Sequence, residues 1–507
     1  MSDLNPSITR NTQLVVIGAG PGGYAAAFAA ADRGISTILV DADPQPGGVC
    51  LNRGCIPSKA LLHIARIISE TREAAEWGIA FGEPKIDIDA VRRWKESIIS
   101  KNAAGIRQLA KSRRVEIVRA WARFENSQTL LLSSQQGGPA DLGRLTFEHA
   151  IIATGSRPTI PPALRVDSPR IMDSTSALEL PEIPKRLLIV GGGYIGLEMG
   201  TFYSALGSEV SVVEMTDGLL PGADRDLVRV LQNRLKKSFK QIMVSTRVIG
   251  LRDTGNEVEV MLEPAQTAAS TTGSTVAESI STTASPQTFD RVLIAVGRTP
   301  NSDGLGLENT AVQIASPHAI SSTSPRGFIE TNEKCQTADP HIYAIGDVAG
   351  EPMLAHKASK QAKVAAAVIV GDKNKATFDV RAIPGVVFTD PEVAWTGITE
   401  DLAKTKGIDV TLGKFPWGAS GRATAMGRND GLTKVIAEAQ TQRIIGVGIV
   451  GVGAGELIAE ATLAIEMGAT AKNVGLTIHA HPTLAETLGE AAELVHGTAT
   501  HIFRPPR

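Results

Sequence analysis

The chain has 507 residues, 43% of them with apolar side chains, and a formal net charge of −2. That length is too great for one hydrophobic core and fits roughly three domains. The charge balance gives no reason to expect a nucleic acid or an anionic membrane as partner, and no apolar run approaches the roughly 18 residues of a membrane span. The first dozen residues are polar and lack both the apolar core of a signal peptide and the Arg-rich face of a transit peptide, which points to the cytoplasm. Three cysteines in a reducing compartment argue for catalysis rather than structural bridging.

In chain order, Gln13 to Ile17 is a short apolar run that reads as a buried parallel strand. Gly18-Ala19-Gly20-Pro21-Gly22-Gly23 follows, then an Ala-rich helical stretch to Gly34, and a second strand from Ser36 to Val40 ending at Asp41. Gly18, Gly20 and Gly23 have G-x-G-x-x-G spacing, and the acid lies 41 − 18 = 23 residues on. This is a βαβ dinucleotide fingerprint. The glycines let a pyrophosphate approach the helix N-terminus, and Asp41 is placed for ribose hydroxyls.

Next comes Gly47-Gly48-Val49-Cys50-Leu51-Asn52-Arg53-Gly54-Cys55-Ile56-Pro57-Ser58-Lys59. Cys50 and Cys55 are five positions apart. On an ideal helix that is about 7.5 Å of rise, beyond the reach of a disulfide. Pairing therefore requires a distorted backbone, which Gly54 permits. The alternatives are two ordinary buried cysteines or two metal ligands, although no further Cys or paired His nearby completes a zinc site. Pro57 suits a helix start, Leu61 to Ile68 is amphipathic, and Glu70 to Arg114 is mostly helical by pattern. Strands are predicted at Val115–Val118, near Trp121–Phe124, and at Ala150–Ala153 before Thr154-Gly155.

The fingerprint then repeats. Arg186 to Val190 is a strand, Gly191, Gly193 and Gly196 form the turn, and the acid Glu214 lies 214 − 191 = 23 residues on. Two such folds imply two dinucleotides. Glu214 repels a 2′-phosphate, and no Arg follows in Met215-Thr216-Asp217 to receive one, so the second site favours NAD over NADP. Glu198, inside the second helix, reads by itself as a surface residue. From Ala265 to Thr288 the chain is rich in Ala, Ser and Thr, a composition that reads as a hairpin insertion unable to order itself. Asp290–Val296 and His341–Ile345 are further strands, the first followed by Gly297-Arg298-Thr299-Pro300 and the second by Gly346-Asp347. Cys335 and His356 have no pattern around them and read as structural. From about Arg381 the pattern changes to short strands with intervening helices, an α+β unit. Near the end, His479-Ala480-His481-Pro482-Thr483-Leu484-Ala485-Glu486 places His481 in a loop before a helix that Pro482 suits, with Glu486 early in it. A His beside a carboxylate is what a general base at neutral pH needs.

The Cys50–Lys59 stretch, the Ala-Thr-Gly at 153–155, the Gly-Asp at 346–347 and the His-Pro-Thr-x-x-Glu at 481–486 together resemble the flavoprotein disulfide reductases, most closely their dihydrolipoamide dehydrogenase branch. The resemblance covers nearly the whole chain and implies an α/β fold with two Rossmann-like domains, for FAD and NAD, and a C-terminal α+β dimerisation domain. The expected division is 1–157 and 290–380 for the FAD and central parts, 158–289 for the NAD domain with the insertion 265–288, and 381–507 for dimerisation. It implies that Cys50 and Cys55 form a redox-active disulfide, that Gly18, Gly20, Gly23, Asp41, Lys59, Asp347 and Ala355 serve FAD, and that Gly191, Gly193, Gly196, Glu214 and Gly297 serve NAD. It further implies an ion pair of Lys59 with Glu198 beside the flavin, and His481 with Glu486 as a base reaching the other subunit of a homodimer. No metal is expected. The implied partners are lipoyl domains of a 2-oxo acid dehydrogenase acyltransferase or of the glycine cleavage H-protein, met in trans. Arg53 departs from the family pattern, where Val is usual, and adds a cation beside the dithiol. Glutathione reductases usually prefer NADPH, which Glu214 opposes. Mercuric reductases usually carry a C-terminal cysteine pair, and this chain ends Phe503-Arg504-Pro505-Pro506-Arg507. A complex subunit that has lost turnover is opposed by the intact Cys50, Cys55, His481 and Glu486.

Overall fold

The computed structural model describes residues 9–265, 286–315, 327–372 and 377–503. It divides into two units, one of residues 1–60, 87–159 and 297–379, the other of residues 61–86, 160–296 and 380–507.

The first unit is built on a sheet in the order β3-β2-β1-β6-β5-β4. The strands are β1 (Thr9–Ile17), β2 (Thr37–Asp41), β3 (Glu116–Arg119), β4 (Trp121–Asn126), β5 (Thr129–Ser133) and β6 (Gly143–Ile152). β1 runs parallel to both β2 and β6. Leu14, Val15 and Val16 are fully buried, as a parallel strand covered on both faces requires. The connections are α1 (Pro21–Ala31), the short α2 (Gly48–Arg53), the start of α3 (Cys55–Glu73), which after residue 60 belongs to the second unit, and α4 (Ile88–Ser112). The helix pattern of 70–114 is broken. Gly78 closes a turn with φ +85, and residues 78–87 with Gly82 and Pro84 are not helical, until Asp87 caps α4 by accepting the Ala90 N–H at 2.9 Å. The paired β7 (Ser156–Pro158) and β16 (Arg298–Pro300), then β17 (Ile342–Ala344) parallel to β6, and α8 (Ala355–Ile369) complete the unit.

In the second unit, β8 (Ile171–Met172), β9 (Arg186–Val190), β10 (Glu209–Val213), β11 (Gln241–Met243) and β15 (Arg291–Ile294) form a sheet in the order β11-β10-β9-β15-β8. Its helices are α5 (Ser174–Glu179), α6 (Tyr194–Ala205) and α7 (Arg225–Ser238). Beside it, β12 (Thr246–Asp253), β13 (Val258–Pro264) and β14 (Gln287–Phe289) pair antiparallel. Two boundaries differ from expectation. β15 pairs with β9, so the nucleotide fold runs past 290 and the chain returns to the first unit at 297. Gln287 and Thr288, expected in the insertion, belong to β14, while residues 266–285 of that insertion lie outside the described residues.

The remaining part of the second unit is the antiparallel sheet β18-β19-β22-β21-β20. Its strands are β18 (Gly385–Val387), β19 (Glu392–Gly397), β20 (Val410–Pro416), β21 (Leu432–Glu438) and β22 (Ile444–Gly451), with helices α9 (Glu400–Thr405), α10 (Gly421–Ala425), α11 (Ala454–Glu466), α12 (Ala471–Gly475) and α13 (Glu486–His496). Trp417 is fully buried in its core, and its indole N–H donates to Thr433 Oγ1 at 2.9 Å, so burying the large ring leaves no polar atom unpaired. The architecture is the predicted α/β one, with two dinucleotide-type folds and a C-terminal α+β part. Among the described residues no helix is long and apolar enough to cross a membrane.

Candidate active site

The first glycine turn is shaped by close packing. A Cβ at Gly18 (φ +103) would lie 2.4 Å from the Ala153 carbonyl oxygen, and one at Gly23 would lie 1.7 Å from that of Gly18. Gly20 is the N-cap of α1, with no side-chain cap and no acid in the first turn. The helix end therefore keeps free N–H groups and uncompensated positive dipole for a pyrophosphate. Asp41 braces the turn from the end of β2, accepting the Ala19 N–H on one oxygen and the Asp43 N–H on the other at 2.8 Å. Burial raises its carboxyl pKa, outweighing the two N–H donors.

The dithiol segment rests directly on this turn. Gly47 N–H donates to the Ala19 carbonyl at 2.8 Å, and a Cβ at Gly48 (φ +58) would lie 2.6 Å from Gly20 Cα. The helix breaks between the cysteines. α2 stops at Arg53, Gly54 takes φ −147 and ψ −112, and α3 starts at Cys55. This is the distortion that bringing the two sulfurs together demands. Both residues carry thiols, Cys50 half-buried and Cys55 exposed. The Cys50 pKa is raised far above the ordinary thiol value, first by its hydrogen bond with Cys55 and then by burial, while the charge of Lys59 acts in the opposite direction. Lys59 is half-buried, with Nζ 3.3 Å from Ser58 Oγ. Arg53, the departure from the family pattern, donates to Asp43 Oδ2 at 2.6 Å, and Asn52 donates to the Gln45 carbonyl at 3.2 Å. These contacts tie α2 to the loop that follows Asp41.

The second element converging here is the turn after β17. Asp347 Oδ2 accepts Ser156 Oγ at 2.6 Å, and Arg298 donates to both the hydroxyl and the carbonyl of Ser156 at 2.7 Å. Lys357, buried on α8, donates from Nζ to the Gly346 carbonyl at 3.3 Å and also to that of Gly350. A Cβ on Gly346 would lie 3.0 Å from Ala358 Cβ, and one on Gly22 would lie 3.1 Å from the same atom, so Ala358 lies against both turns. Ala355 opens α8 and His356 is exposed on it. Cys335 is buried, its thiol pushed up to about 12 by burial. Sequence reasoning missed Ser156, Arg298 and Lys357, because their partners are distant in the chain or are backbone atoms without a motif.

The second glycine turn repeats the first. A Cβ at Gly191 (φ +109) would lie 2.4 Å from the Ala295 carbonyl oxygen, and one at Gly196 would lie 2.3 Å from that of Gly191. Gly193, the uncapped N-cap of α6, has open space where its Cβ would be. Glu214 is buried and accepts the Gly192 N–H at 2.7 Å on one oxygen, and the Thr216 N–H and hydroxyl on the other at 2.7 and 2.8 Å. Gly297 (φ +133) belongs to the first unit, where its carbonyl accepts the Thr159 N–H at 3.0 Å. Glu198 is not a surface residue. It is 3% exposed and accepts the Phe388 N–H at 3.0 Å. Both turns thus fit a dinucleotide, having a glycine N-cap with no side-chain cap and an acid at the neighbouring strand end.

At the C-terminus, His481 Nδ1 lies 2.9 Å from Glu486 Oε1, and Glu486 Oε2 accepts the Thr483 N–H at 2.7 Å. The helix starts at Glu486 rather than at Pro482. Glu486 has a lowered carboxyl pKa: burial alone raises it, but the Thr483 N–H and the His481 ring outweigh that. Because the carboxylate accepts, Nδ1 carries the ring hydrogen, which leaves Nε2 as a proton acceptor on a ring that is 76% exposed.

Residues 12–362 match the pyridine nucleotide-disulphide oxidoreductase family, and residues 383–492 match that family's dimerisation domain. The chain is 46% identical to a dihydrolipoyl dehydrogenase of Vibrio cholerae and 45% identical to one of Haemophilus influenzae, over 97% of this chain and 97% and 96% of theirs. Among solved structures it is similar to the HOCl-induced flavoprotein disulfide reductase RclA from Escherichia coli, in its Cu(II) complex, with a TM-score of 0.81 at 25% identity over 96% of this chain and all of the other. The chain belongs to the pyridine nucleotide-disulphide oxidoreductase family.

Proposed function

We propose that this protein is an FAD-containing enzyme that oxidises protein-bound dihydrolipoamide to lipoamide and reduces NAD⁺. The observation that carries the reading is the seating of the Cys50–Cys55 segment on the first glycine turn, through Gly47 with Ala19 and Gly48 with Gly20. That seating supports a dithiol acting beside a bound dinucleotide, and the names of the relatives reported above support the substrate.

In the oxidised enzyme Cys50 and Cys55 are joined as a disulfide. His481 Nε2 takes the proton of one dihydrolipoyl thiol, and Glu486 holds the resulting imidazolium. The substrate thiolate attacks Cys50 Sγ, forming a mixed disulfide, and Cys55 departs as thiolate with the electron pair of the broken bond. Lys59 is the cation placed to favour thiolate in this pair. The second substrate sulfur attacks the first and closes the lipoyl disulfide, and Cys50 departs and takes up the proton that sulfur loses, leaving the enzyme two electrons richer. FAD, when bound, supplies the two-electron carrier between this dithiol and the pyridine nucleotide. We assign Gly18, Gly20, Gly23, Asp41, Lys59, Asp347 and Ala355 to hold it, and Gly191, Gly193, Gly196 and Glu214 to hold NAD⁺. The working unit in this reading is a cytoplasmic homodimer in which His481 of one subunit serves the dithiol of the other. Its partners are lipoyl domains of a 2-oxo acid dehydrogenase acyltransferase or of the glycine cleavage H-protein.

The test is absorbance at the NADH band with dihydrolipoamide and NAD⁺, beside a cuvette of NADPH and oxidised glutathione. Turnover in the first cuvette alone supports the reading. Turnover only in the second overturns both the substrate and the role of Glu214.

A further inference from the structure

The stretch that carries His481 contains a second histidine, His479, to which the reaction above gives no task. The two differ sharply in setting. His481 is 76% exposed on its side chain, whereas His479 is 10% exposed. His479 Nε2 lies 2.9 Å from Glu460 Oε1 on α11, a separate helix. Since the carboxylate accepts, Nε2 carries the hydrogen and donates it. The same ring packs against α13. A Cβ placed at Gly489 would meet His479 Nδ1 at 3.0 Å and Cε1 at 3.1 Å. Gly489 is three residues along that helix from Glu486, hence on neighbouring positions of one face. His479 therefore touches the helix that supplies Glu486 while it bonds to α11.

We infer that His479 is a positioning residue for the general base: through Glu460 on α11 and the bare backbone at Gly489 on α13 it pins the loop between α12 and α13, so that His481 meets Glu486 with Nε2 turned outward. This rests on the dihydrolipoamide reading given above. The local bonds of the loop, Thr483 Oγ1 to the Ala480 carbonyl at 2.7 Å and Thr483 N–H to Glu486, shape the turn from within. The His479–Glu460 contact ties that turn to a helix outside it. Because a general base works only within hydrogen-bond reach of its proton, a loop displaced by an ångström loses much of its effect.

The experiment compares His479→Ala, Glu460→Ala and Glu460→Gln in the full-length holoenzyme. Two reactions are followed: dihydrolipoamide oxidation by NAD⁺, and NADH oxidation by ferricyanide, an acceptor that needs no thiol deprotonation. Expected for both alanine variants is a fall of about tenfold in kcat/KM for dihydrolipoamide with ferricyanide turnover within about twofold of the parent. Glu460→Gln, whose amide oxygen still accepts from Nε2–H, should recover most of the loss. Three results overturn the inference: alanine variants within twofold of the parent on dihydrolipoamide, equal losses in both reactions, or a glutamine variant as poor as alanine. If His479→Ala does not fold, Glu460→Ala decides, since Glu460 is partly exposed. A parent enzyme that shows no NAD⁺ reduction by dihydrolipoamide overturns the functional reading itself and this inference with it.

Discussion

Arg53 Nη2 lies 2.6 Å from Asp43 Oδ2, so the added cation in the dithiol stretch is bound to the loop after Asp41, and the cation acting on Cys50 is Lys59. The pair is partly exposed, 40% and 22% on its two side chains, and such pairs contribute about 0–1 kcal/mol. Arg53→Val should therefore change dihydrolipoamide turnover by less than about twofold. Lys59→Met should slow alkylation of the reduced enzyme by iodoacetamide at neutral pH by about tenfold, because it removes the charge that favours the Cys50 thiolate. Equal slowing by Arg53→Val would reverse this assignment of roles.

Cys50→Ser leaves the glycine turns and the Gly47–Ala19 bond in place. The variant should purify with its flavin and show no dihydrolipoamide oxidation above background. Flavin absorbance and NAD⁺ reduction on one preparation settle it, and normal turnover would sink the dithiol assignment.

Glu486→Gln keeps the hydrogen-bonding shape but removes the charge that stabilises the His481 imidazolium. The kcat/KM for dihydrolipoamide should fall by roughly 10–100-fold, with ferricyanide reduction by NADH little changed. The carboxyl is depressed in the folded state, so its stabilising contacts are complete above the unfolded pKa and are lost as pH falls through the lower folded value. In chemical denaturation, the stability gap between the parent and Glu486→Gln should stay level from neutral pH down to about 5 and close below about 4. A gap that widens on acidification contradicts the sign.

Glu214 holds the Gly192 N–H and presents negative charge at a strand end beside the second turn. Glu214→Arg should lower kcat/KM for NAD⁺ and raise it for NADP⁺, shifting their ratio by about 100-fold or more. Steady-state kinetics with both nucleotides checks this, and an unchanged ratio means the acid does not read the ribose.

Lys434 is fully buried, and its Nζ lies 2.7 Å from carboxylate oxygens of Asp224, Asp226 and Glu400, with Lys414 bonded to the last two. The cluster joins α7 to the C-terminal sheet. Replacing Lys434 by Met leaves three acids facing one ammonium, and breaking a buried ionic group in this way costs about 3–5 kcal/mol. Urea unfolding of the variant should show that loss. A loss under 1 kcal/mol would mean that water already screens the group.

The local features were legible because each is a one-dimensional signal. Both βαβ turns, the strand-end acids Asp41 and Glu214, the Cys50–Cys55 stretch and the His481–Glu486 spacing lie within a few residues or at a repeated 23-residue interval. Gly54 announced the break between α2 and α3, since a disulfide cannot span the roughly 1.4 regular helical turns between residues five positions apart. Boundaries were less legible. Pro482 suited a helix start, yet α13 begins at Glu486, whose side chain takes the Thr483 N–H. The return to the first unit comes after β15, because that strand completes the second parallel sheet.

What the sequence determined by itself is the set of local patterns: two glycine turns, each followed 23 residues on by an acid, a cysteine pair and a His–carboxylate pair. What only the tertiary structure decided is which groups support them. Arg53 with Asp43, Ser156 between Asp347 and Arg298, Lys357 on the Gly346 and Gly350 carbonyls, Glu198 beneath the Phe388 N–H, and His479 on Glu460 have no motif, and most join positions far apart in the chain. The physical reason is range. Helix caps, glycine conformations and hydrophobic periods act between near neighbours, so composition and spacing record them. Burial and hydrogen-bond pairing depend on which surfaces meet after folding, and a side chain's partner exists only when that packing is complete.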